Sequence, residues 1–320
     1  MPVPALFQGR LVVPAIAAPM FLVSGPDLVI NACKAGIAAS FPSLNARPAS
    51  QLDEWLSRMN AELGEKDAPF GINLILHASN QRLEEDVALV VKHRVPFVIT
   101  SLGNPSRLVE AVHGYGGLVF SDVIHAYHAK KAMEAGVDGI IAVAAGAGGH
   151  AGTQNPLALL REIREFWKGV LILGGAISDG ASIRAAEIAG ADFAYMGTRL
   201  IATQESLAQP GYKEMLVAAT PRDIVYTAAV SGTNANFMRQ SLEQAGYDLK
   251  QLQNKGDINY GEKLKPMDEE AKAWKTVWSA GQGVGGIDDL PSVQELVARL
   301  DREYRAALTR SQQLGQRWPR

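Results

Sequence analysis

The chain has one cysteine, Cys33, in 320 residues, so no disulfide can form within it and a reducing compartment suits it. It has no apolar run approaching the ~18 residues that a membrane span needs. It also lacks an excess of either charge. Against 33 Asp and Glu stand 31 Lys and Arg, a net charge of -2, whereas a nucleic-acid-binding surface depends on a clear basic excess. The apolar stretch from Leu11 to Met20 is broken by Pro14 and Pro19 and preceded only by Arg10. It makes a poor secretion signal, and a cytoplasmic protein acting on a small molecule is the expectation. What is present is an ordinary globular balance, 47% hydrophobic and 20% charged, enough to bury a large core.

Along the first two hundred residues, short apolar runs alternate with helix-length segments. The strand candidates are residues 11–17, 37–40, 70–76, 97–101, 118–121, 139–144, 170–173 and 193–196. Most are unbroken apolar runs, as strands covered on both faces should be. Helical patterns fall at 26–35, 49–63, 81–92, 105–113, 123–135, 156–167 and 179–189. Several end at glycine, as in Ala35-Gly36 and Ala135-Gly136, where a left-handed residue lets the chain turn back. Eight such units predict an α/β fold of the (β/α)8 TIM-barrel type, with a doubly wound open sheet as the alternative. After Thr203 the rhythm changes. Helix is expected at 212–219 and 236–245, extended chain at 223–230 and a long polar loop at 248–270. We therefore expect a barrel from residues 1–204 and 276–320 and a small α+β domain, 205–275, inserted near the C-terminal end on the substrate side. An amphipathic helix at 290–312, with Leu296, Leu300 and Tyr304 at fourfold spacing, should close the barrel.

Active sites of such barrels lie past the strand ends, which directs attention to six places. Strand one ends in Ala18-Pro19-Met20, strand three carries Asn73 and strand five ends in Asp122. Strand six runs into Gly146-Ala147-Gly148-Gly149-His150-Ala151-Gly152, strand seven into Gly174-Gly175-Ala176 and strand eight into Met196-Gly197-Thr198. Glycine turns after the last two strands would offer backbone N–H groups, with helix dipoles behind them, to a phosphate. Either turn alone is explained by tight geometry; the pair at that corner favours phosphate binding. His150 lies among glycines that let a flat ligand approach, and its position past a strand favours a catalytic role over that of an ordinary surface histidine. The glycine N–H groups around it would add positive partial charge.

Asp122 is either the N-cap of the next helix or a ligand group. Asn73 is polar within an apolar strand and needs a partner, which a cofactor edge or a backbone group would supply. Gln282, between two glycines late in the chain, suits hydrogen bonding to a heterocycle. His125 and His128 have i, i+3 spacing but no third ligand nearby, so they read as a solvated helix face. Cys33 reads as a buried apolar residue.

Taken together, Ala18-Pro19-Met20, Pro69-Phe70-Gly71-Ile72-Asn73-Leu74, Gly148-Gly149-His150-Ala151-Gly152, Gly174-Gly175-Ala176, Met196-Gly197-Thr198-Arg199 and Ser279-Ala280-Gly281-Gln282 resemble the nitronate monooxygenase family, over about residues 13–289. The resemblance implies a barrel holding non-covalent FMN that oxidises alkyl nitronates with O2 to a carbonyl compound and nitrite, by way of a flavin semiquinone. It implies His150 as the catalytic residue, binding the nitronate or deprotonating a nitroalkane. It implies flavin contacts from Pro19, Met20, Asn73, Asp122, Gly148, Gly149, Gly174, Gly175, Ala176, Met196, Gly197, Thr198 and Gln282, and no metal. Asp122 departs from the family, since some members have lysine there and a carboxylate cannot stabilise a negative flavin as an ammonium does. Flavin-dependent enoyl-[acyl-carrier-protein] reductases and NAD(P)H:quinone reductases share the scaffold and are the alternative, with a flavin-binding protein lacking turnover as the non-enzymatic one.

Overall fold

In the computed structural model, which describes residues 3–230, 232–252 and 276–317, the eight apolar runs form a closed parallel barrel. The strands in chain order are β1 (Ala15–Ala17), β2 (Ala38–Pro42), β3 (Phe70–Ile75), β4 (Phe97–Ser101), β5 (Leu118–Val123), β6 (Gly139–Val143), the two-residue β7 (Gly149–His150), β8 (Val170–Gly174) and β9 (Phe193–Met196). All but β7 belong to the barrel, and β9 returns to β1 with Ala15 opposite Ala194 and Ala17 opposite Met196. Closure excludes the open doubly wound sheet. The first strand is shorter than the expected 11–17, because Pro14 has no N–H to give to a ladder.

Between the strands run α1 (Pro26–Ala35), α2 (Ala49–Glu62), α3 (Leu83–Lys92), α4 (Ser106–His113), α5 (Ala126–Glu134), α6 (Pro156–Arg164) and α7 (Gly180–Ile188). Gly36, at φ 96, ends α1 in the expected left-handed conformation. The fifth helix starts three residues later than its apolar pattern suggests, since β5 continues through Val123. Its N-cap is His125, whose Nδ1 accepts from the His128 N–H at 3.4 Å. Asp122 is therefore not a helix cap.

Side chains alternate between the barrel interior and the surrounding helices. Ile16, Ala38, Phe97, Ile99, Phe120, Ile141, Val170, Ile172 and Phe193 form one buried interior cluster. Phe7, from a 3-10 turn at Ala5–Phe7, plugs its lower end, with its ring centroid 5.8, 6.1 and 5.0 Å from those of Phe97, Phe120 and Phe193. The opposite end is the mouth. There the inward positions of β3, β4, β5 and β9 become Asn73, Ser101, Asp122 and Tyr195, and the interior turns polar.

Beyond β9 come α8 (Thr198–Ile201), α9 (Pro210–Ala218), β10 (Ile224–Thr227), β11 (Ala235–Met238), α10 (Arg239–Gln244) and α11 (Leu249–Leu252). Strands β10 and β11 form an antiparallel hairpin, and β7 joins β11 with His150 opposite Ala235 and Gly149 opposite Asn236. The helix expected at 236–245 is thus strand at its start, because Ala235 and Phe237 bury themselves in a small core with Val230, Leu242 and Val277. Val23, Ile201 and Ala202 pack with Tyr212, Leu216, Met238, Ala280 and Val284, so the hairpin region shares an apolar core with the barrel. Of the polar loop expected at 248–270, residues 253–270 lie outside the described residues.

The final helix, Val293–Gly315, opens with a capping box between Ser292 and Glu295. Its Leu296 and Leu300 are buried against the barrel's helices, and the Tyr304 hydroxyl donates to Glu187 Oε2 on α7 at 2.6 Å. Among the described residues no helix is long and apolar enough to cross a membrane.

Candidate active site

Four segments far apart in sequence meet at the mouth. The Gly281 N–H donates to Thr198 Oγ1 at 2.8 Å. The N–H groups of Gln282 and Ala176 both donate to the Gly146 carbonyl, at 2.9 and 3.2 Å. The loop after β6, the ends of β8 and β9 and the late Ala280-Gly281-Gln282 turn therefore form one surface. It is tight enough to require glycine. A Cβ on Gly148 would lie 2.9 Å from the Gly281 nitrogen and 3.2 Å from Thr198 Oγ1, and one on Gly175, at φ 141, would lie 2.8 Å from the Ala145 carbonyl oxygen.

Gln282 Oε1 approaches Gly146 closely enough to sit 3.2 Å from where a Cβ would be, which puts the glutamine side chain at this surface. The Ala18 N–H bonds the Met196 carbonyl at 2.8 Å, and Met20 Sδ lies 3.7 Å from the position of a Gly197 Cβ, so Pro19 and Met20 border the same corner. The Met196 side chain packs outward between strands and helices, leaving only its backbone at the mouth. The N–H groups of Gly197 and Thr198 have no backbone acceptor among the described residues.

One part of the phosphate argument changes. The N-terminus of α7 is closed by carboxylates, with Asp179 Oδ1 accepting from the Ser182 N–H at 2.6 Å and Glu303 Oε2 from the Gly180 N–H at 2.9 Å. Its dipole is therefore already neutralised by acidic side chains. Of the two features expected to favour a phosphate there, the glycine backbone remains and the α7 dipole does not.

The floor of the mouth is a short polar chain. Asn73 Nδ2 donates to Ser101 Oγ at 2.8 Å and to the Ile99 carbonyl at 3.2 Å, and the Ser101 hydroxyl donates to Asp122 Oδ2 at 2.6 Å. Burial pushes the Asp122 carboxyl up to about 6, against the opposing pull of the Ser101 hydrogen bond. Tyr195 faces it from β9, and burial, reinforced by the Asp122 charge, raises its phenol far above the usual range.

The glycine loop carrying His150 is fixed from the hairpin side. The Gly149 N–H donates to Ser279 Oγ at 2.6 Å, and the Ser279 hydroxyl donates to the Asn236 carbonyl at 2.6 Å. Asn236 Nδ2 returns to the Ala147 carbonyl at 2.6 Å, and the Tyr226 hydroxyl reaches the Ala151 carbonyl at 3.0 Å. Tyr212 donates to the Ser279 carbonyl and stacks on Trp278, with ring centroids 5.0 Å apart. The N–H groups of Gly149 and Gly152 are thereby occupied, the latter by the Val143 carbonyl at 3.1 Å. They are not directed at a ligand beside His150, contrary to expectation.

The other histidines have ordinary structural partners. His93 Nε2 meets Asp53 at 2.5 Å and His113 meets Asp138 at 2.9 Å. The His125 and His128 rings lie 3.8 Å apart, and burial, followed by the nearby His125 charge, lowers His128. Among the described residues no group of three His, Cys, Asp or Glu side chains could hold a metal ion.

Sequence reasoning missed Ser101, Tyr195 and Asn236, and gave no role to Ser279 although it opens the Ser279-Ala280-Gly281-Gln282 motif. Ser101 and Tyr195 were accessible by counting in twos along β4 and β9 from the inward Phe97 and Phe193. No local pattern marks Asn236 or the bridging role of Ser279, whose partners lie on other segments.

A sequence model of the nitronate monooxygenase family matches residues 79–303. A nitronate monooxygenase from Paraburkholderia phytofirmans is 28% identical, over 94% of this chain and 95% of its own. Among solved structures, FabK from Thermotoga maritima superposes with a TM-score of 0.78 at 26% identity, covering 97% of both chains. A nitroalkane oxidase from Streptomyces ansochromogenes shares the fold, with a TM-score of 0.78 at 24% identity over 95% of this chain and 99% of its own.

Proposed function

Because the chain belongs to the nitronate monooxygenase family, and so is a flavin-dependent oxidoreductase, we propose that it binds FMN non-covalently and oxidises alkyl nitronates with O2 to a carbonyl compound and nitrite. The observation that carries this reading is the placement of His150. A two-residue strand, anchored to the hairpin through β11 and bridged by Ser279, holds its backbone two residues past Gly148, where a Cβ would lie 2.9 Å from the Gly281 nitrogen.

The residues fit such a cofactor. Gly197 and Thr198 would receive the phosphate through N–H groups without a backbone acceptor among the described residues, and Gly174, Gly175 and Ala176, the last of which gives its N–H to the Gly146 carbonyl, would border it. Pro19, Met20, Asn73, Asp122, Gly148, Gly149 and Gln282 would border the ribityl chain and ring, and Met196 would contribute its backbone. The hairpin region that starts after residue 204 would form the substrate-side wall. FMN, when bound, supplies the electron acceptor that is reoxidised by O2.

This chain's own residues would bind and orient the substrate. A nitronate carries its negative charge on two oxygens and needs no proton removed, so a histidine that donates a hydrogen bond to it is sufficient. With the Gly149 and Gly152 N–H groups occupied, that role falls to the imidazole itself. Nitronate turnover should then fall as pH rises through the imidazole's titration, and neutral nitroalkanes, which need a base first, should be poor substrates.

The test is to purify the protein, release its flavin by heat and identify it, then measure nitrite formed from ethylnitronate under air. Yellow protein releasing FMN and forming nitrite supports the proposal; colourless protein that takes up no added FMN overturns it. The likeness to FabK favours a second reading, a reductase using NAD(P)H. Rapid anaerobic bleaching of the flavin by NADPH, with no nitrite from nitronates, would select it.

A further inference from the structure

The floor of the mouth contains an ionisable group that the proposed reaction does not use. Asp122 occupies the inward position of β5 two residues past Phe120 and remains partly accessible from the mouth. Its Oδ2 is held by Ser101, which is itself held by Asn73, while Oδ1 has no donor among the described residues. Around it stand Asn73 from β3, Ser101 from β4, the apolar Val143 from β6 and Tyr195 from β9. His150 lies on the loop that follows β6. Among the described residues no Lys or Arg contributes to its electrostatic surroundings. An anion arriving over this floor would meet an ionised Asp122 with no Lys or Arg among the described residues to offset it, and a protonated one as a hydrogen-bond donor.

Building on the assignment of this mouth as the flavin and substrate site, we propose that Asp122 sets the charge of the ligand the site admits. The protonated carboxyl accepts a small delocalised oxyanion, such as a nitronate or nitrite, and the ionised carboxyl rejects it. Ser101 and Asn73 are the positioning residues that keep Oδ1 turned to the ligand.

The environment supports the protonated form as a working state. Burial without a cation favours the neutral acid, so the change of charge falls at about 6 instead of in the ordinary carboxylate range. The Ser101 hydroxyl donates to the carboxylate and therefore favours ionisation, which gives its removal a defined sign.

The experiment titrates the FMN-loaded protein with sodium nitrite across roughly pH 5–8 and reads the perturbation of flavin absorbance, with no turnover involved. One proton taken up with the anion weakens nitrite binding by about tenfold per pH unit above the Asp122 titration, in addition to what His150 contributes. Asp122→Asn should reduce the slope of log affinity against pH by one proton. Ser101→Ala should move the break to higher pH. The proposal is overturned by an unchanged slope in Asp122→Asn, by wild-type protein that binds no nitrite or binds it independently of pH, or, where Asp122→Asn retains no FMN, by an unmoved break in Ser101→Ala. Loss of the oxidation reading is distinguishable from these outcomes, since a protein that forms no nitrite from nitronates yet shows the pH-dependent nitrite affinity keeps the role of Asp122.

Discussion

The lower and upper halves of the barrel interior are built from the same strands, yet they obey different rules. Below, Phe7, Phe97, Phe120 and Phe193 pack ring against ring with aliphatic neighbours. Above, the interior carries Asn73, Ser101, Asp122 and Tyr195, the first three joined by hydrogen bonds, with Asp122 and Tyr195 two residues beyond Phe120 and Phe193 and Ser101 four beyond Phe97. The first half is stabilised by burial alone. The second keeps a carboxyl in a place that disfavours its charge, which costs stability. The lesson is that fold and site can be separated by substitution within a single strand.

The largest effects should show that separation. Phe97→Ala removes a fully buried ring from the lower cluster and should lower unfolding free energy by about 3–5 kcal/mol, read as a fall in Tm with flavin lost only as the protein unfolds. His150→Ala should leave Tm and FMN content near wild type while nitronate oxidation falls ~10²–10⁴-fold. If His150→Ala proves as destabilising as Phe97→Ala, or keeps wild-type turnover, the division between a structural and a chemical half fails and His150 becomes part of the framework.

How legible each half was in the sequence follows from the same division. Apolar runs such as Phe97-Val98-Ile99 and Ile140-Ile141 announce strands covered on both faces, and seven periodic helices between them specify the barrel before any contact is known. Glycines 148, 175 and 197 and His150 were visible because they interrupt apolar or helical rhythm. What could not be read was pairing across the chain. β7 exists only because Gly149 and His150 find β11 some 85 residues later, and two residues carry no periodicity. The apolar segment at 235–238 satisfies a helical and an extended pattern equally, and its partner strands decided the outcome. The helix-cap alternative for Asp122 rested on a helix start three residues too early, and such boundaries are the least determined feature of any sequence reading.

The phosphate corner offers the next effect in size. Gly175→Asp places a side chain 2.8 Å from the Ala145 carbonyl oxygen at φ 141 and adds negative charge where a phosphate would bind. Strain alone is worth about 1–3 kcal/mol, so FMN affinity should fall by about tenfold or more in a protein that remains folded. Fluorescence titration of the apoprotein with FMN measures it, and unchanged affinity would move the phosphate away from this corner.

A pH series on stability sharpens the comparison further. Asp122 has its proton affinity raised in the folded state, so its protonated form contributes stability below about pH 4, the unfolded carboxylate's range, and that contribution is lost as pH rises through about 6. Its full size would be at most about 3 kcal/mol, reduced because the side chain is partly accessible. Asp122→Asn should therefore match wild type near pH 4 and exceed it in urea midpoint at neutral pH. An Asp122→Asn protein less stable than wild type at neutral pH would mean that the carboxylate is a supported element of the core.

The smallest expected effect concerns the bridge between the two regions that share His150. The Ser279 hydroxyl accepts from the Gly149 N–H and donates to the Asn236 carbonyl, at 2.6 Å each, so it ties the histidine-bearing strand to the hairpin. Ser279→Ala leaves both backbone groups without that partner, worth about 1–3 kcal/mol if neither finds another. The consequence depends on where the loss appears. His150 itself is retained, so its chemistry is intact, but its position relative to the ligand is less fixed, and poorer alignment reduces rate more than it reduces binding. We therefore expect kcat for nitronates to fall by about tenfold with KM little changed, FMN affinity near wild type, a Tm lowered by a few degrees at most where the backbone groups find water, and partial recovery in Ser279→Thr, which restores the hydroxyl. A loss confined to Tm, with kcat unchanged in the folded fraction, would assign Ser279 to holding the hairpin alone and leave the orientation of His150 to β7 and β11.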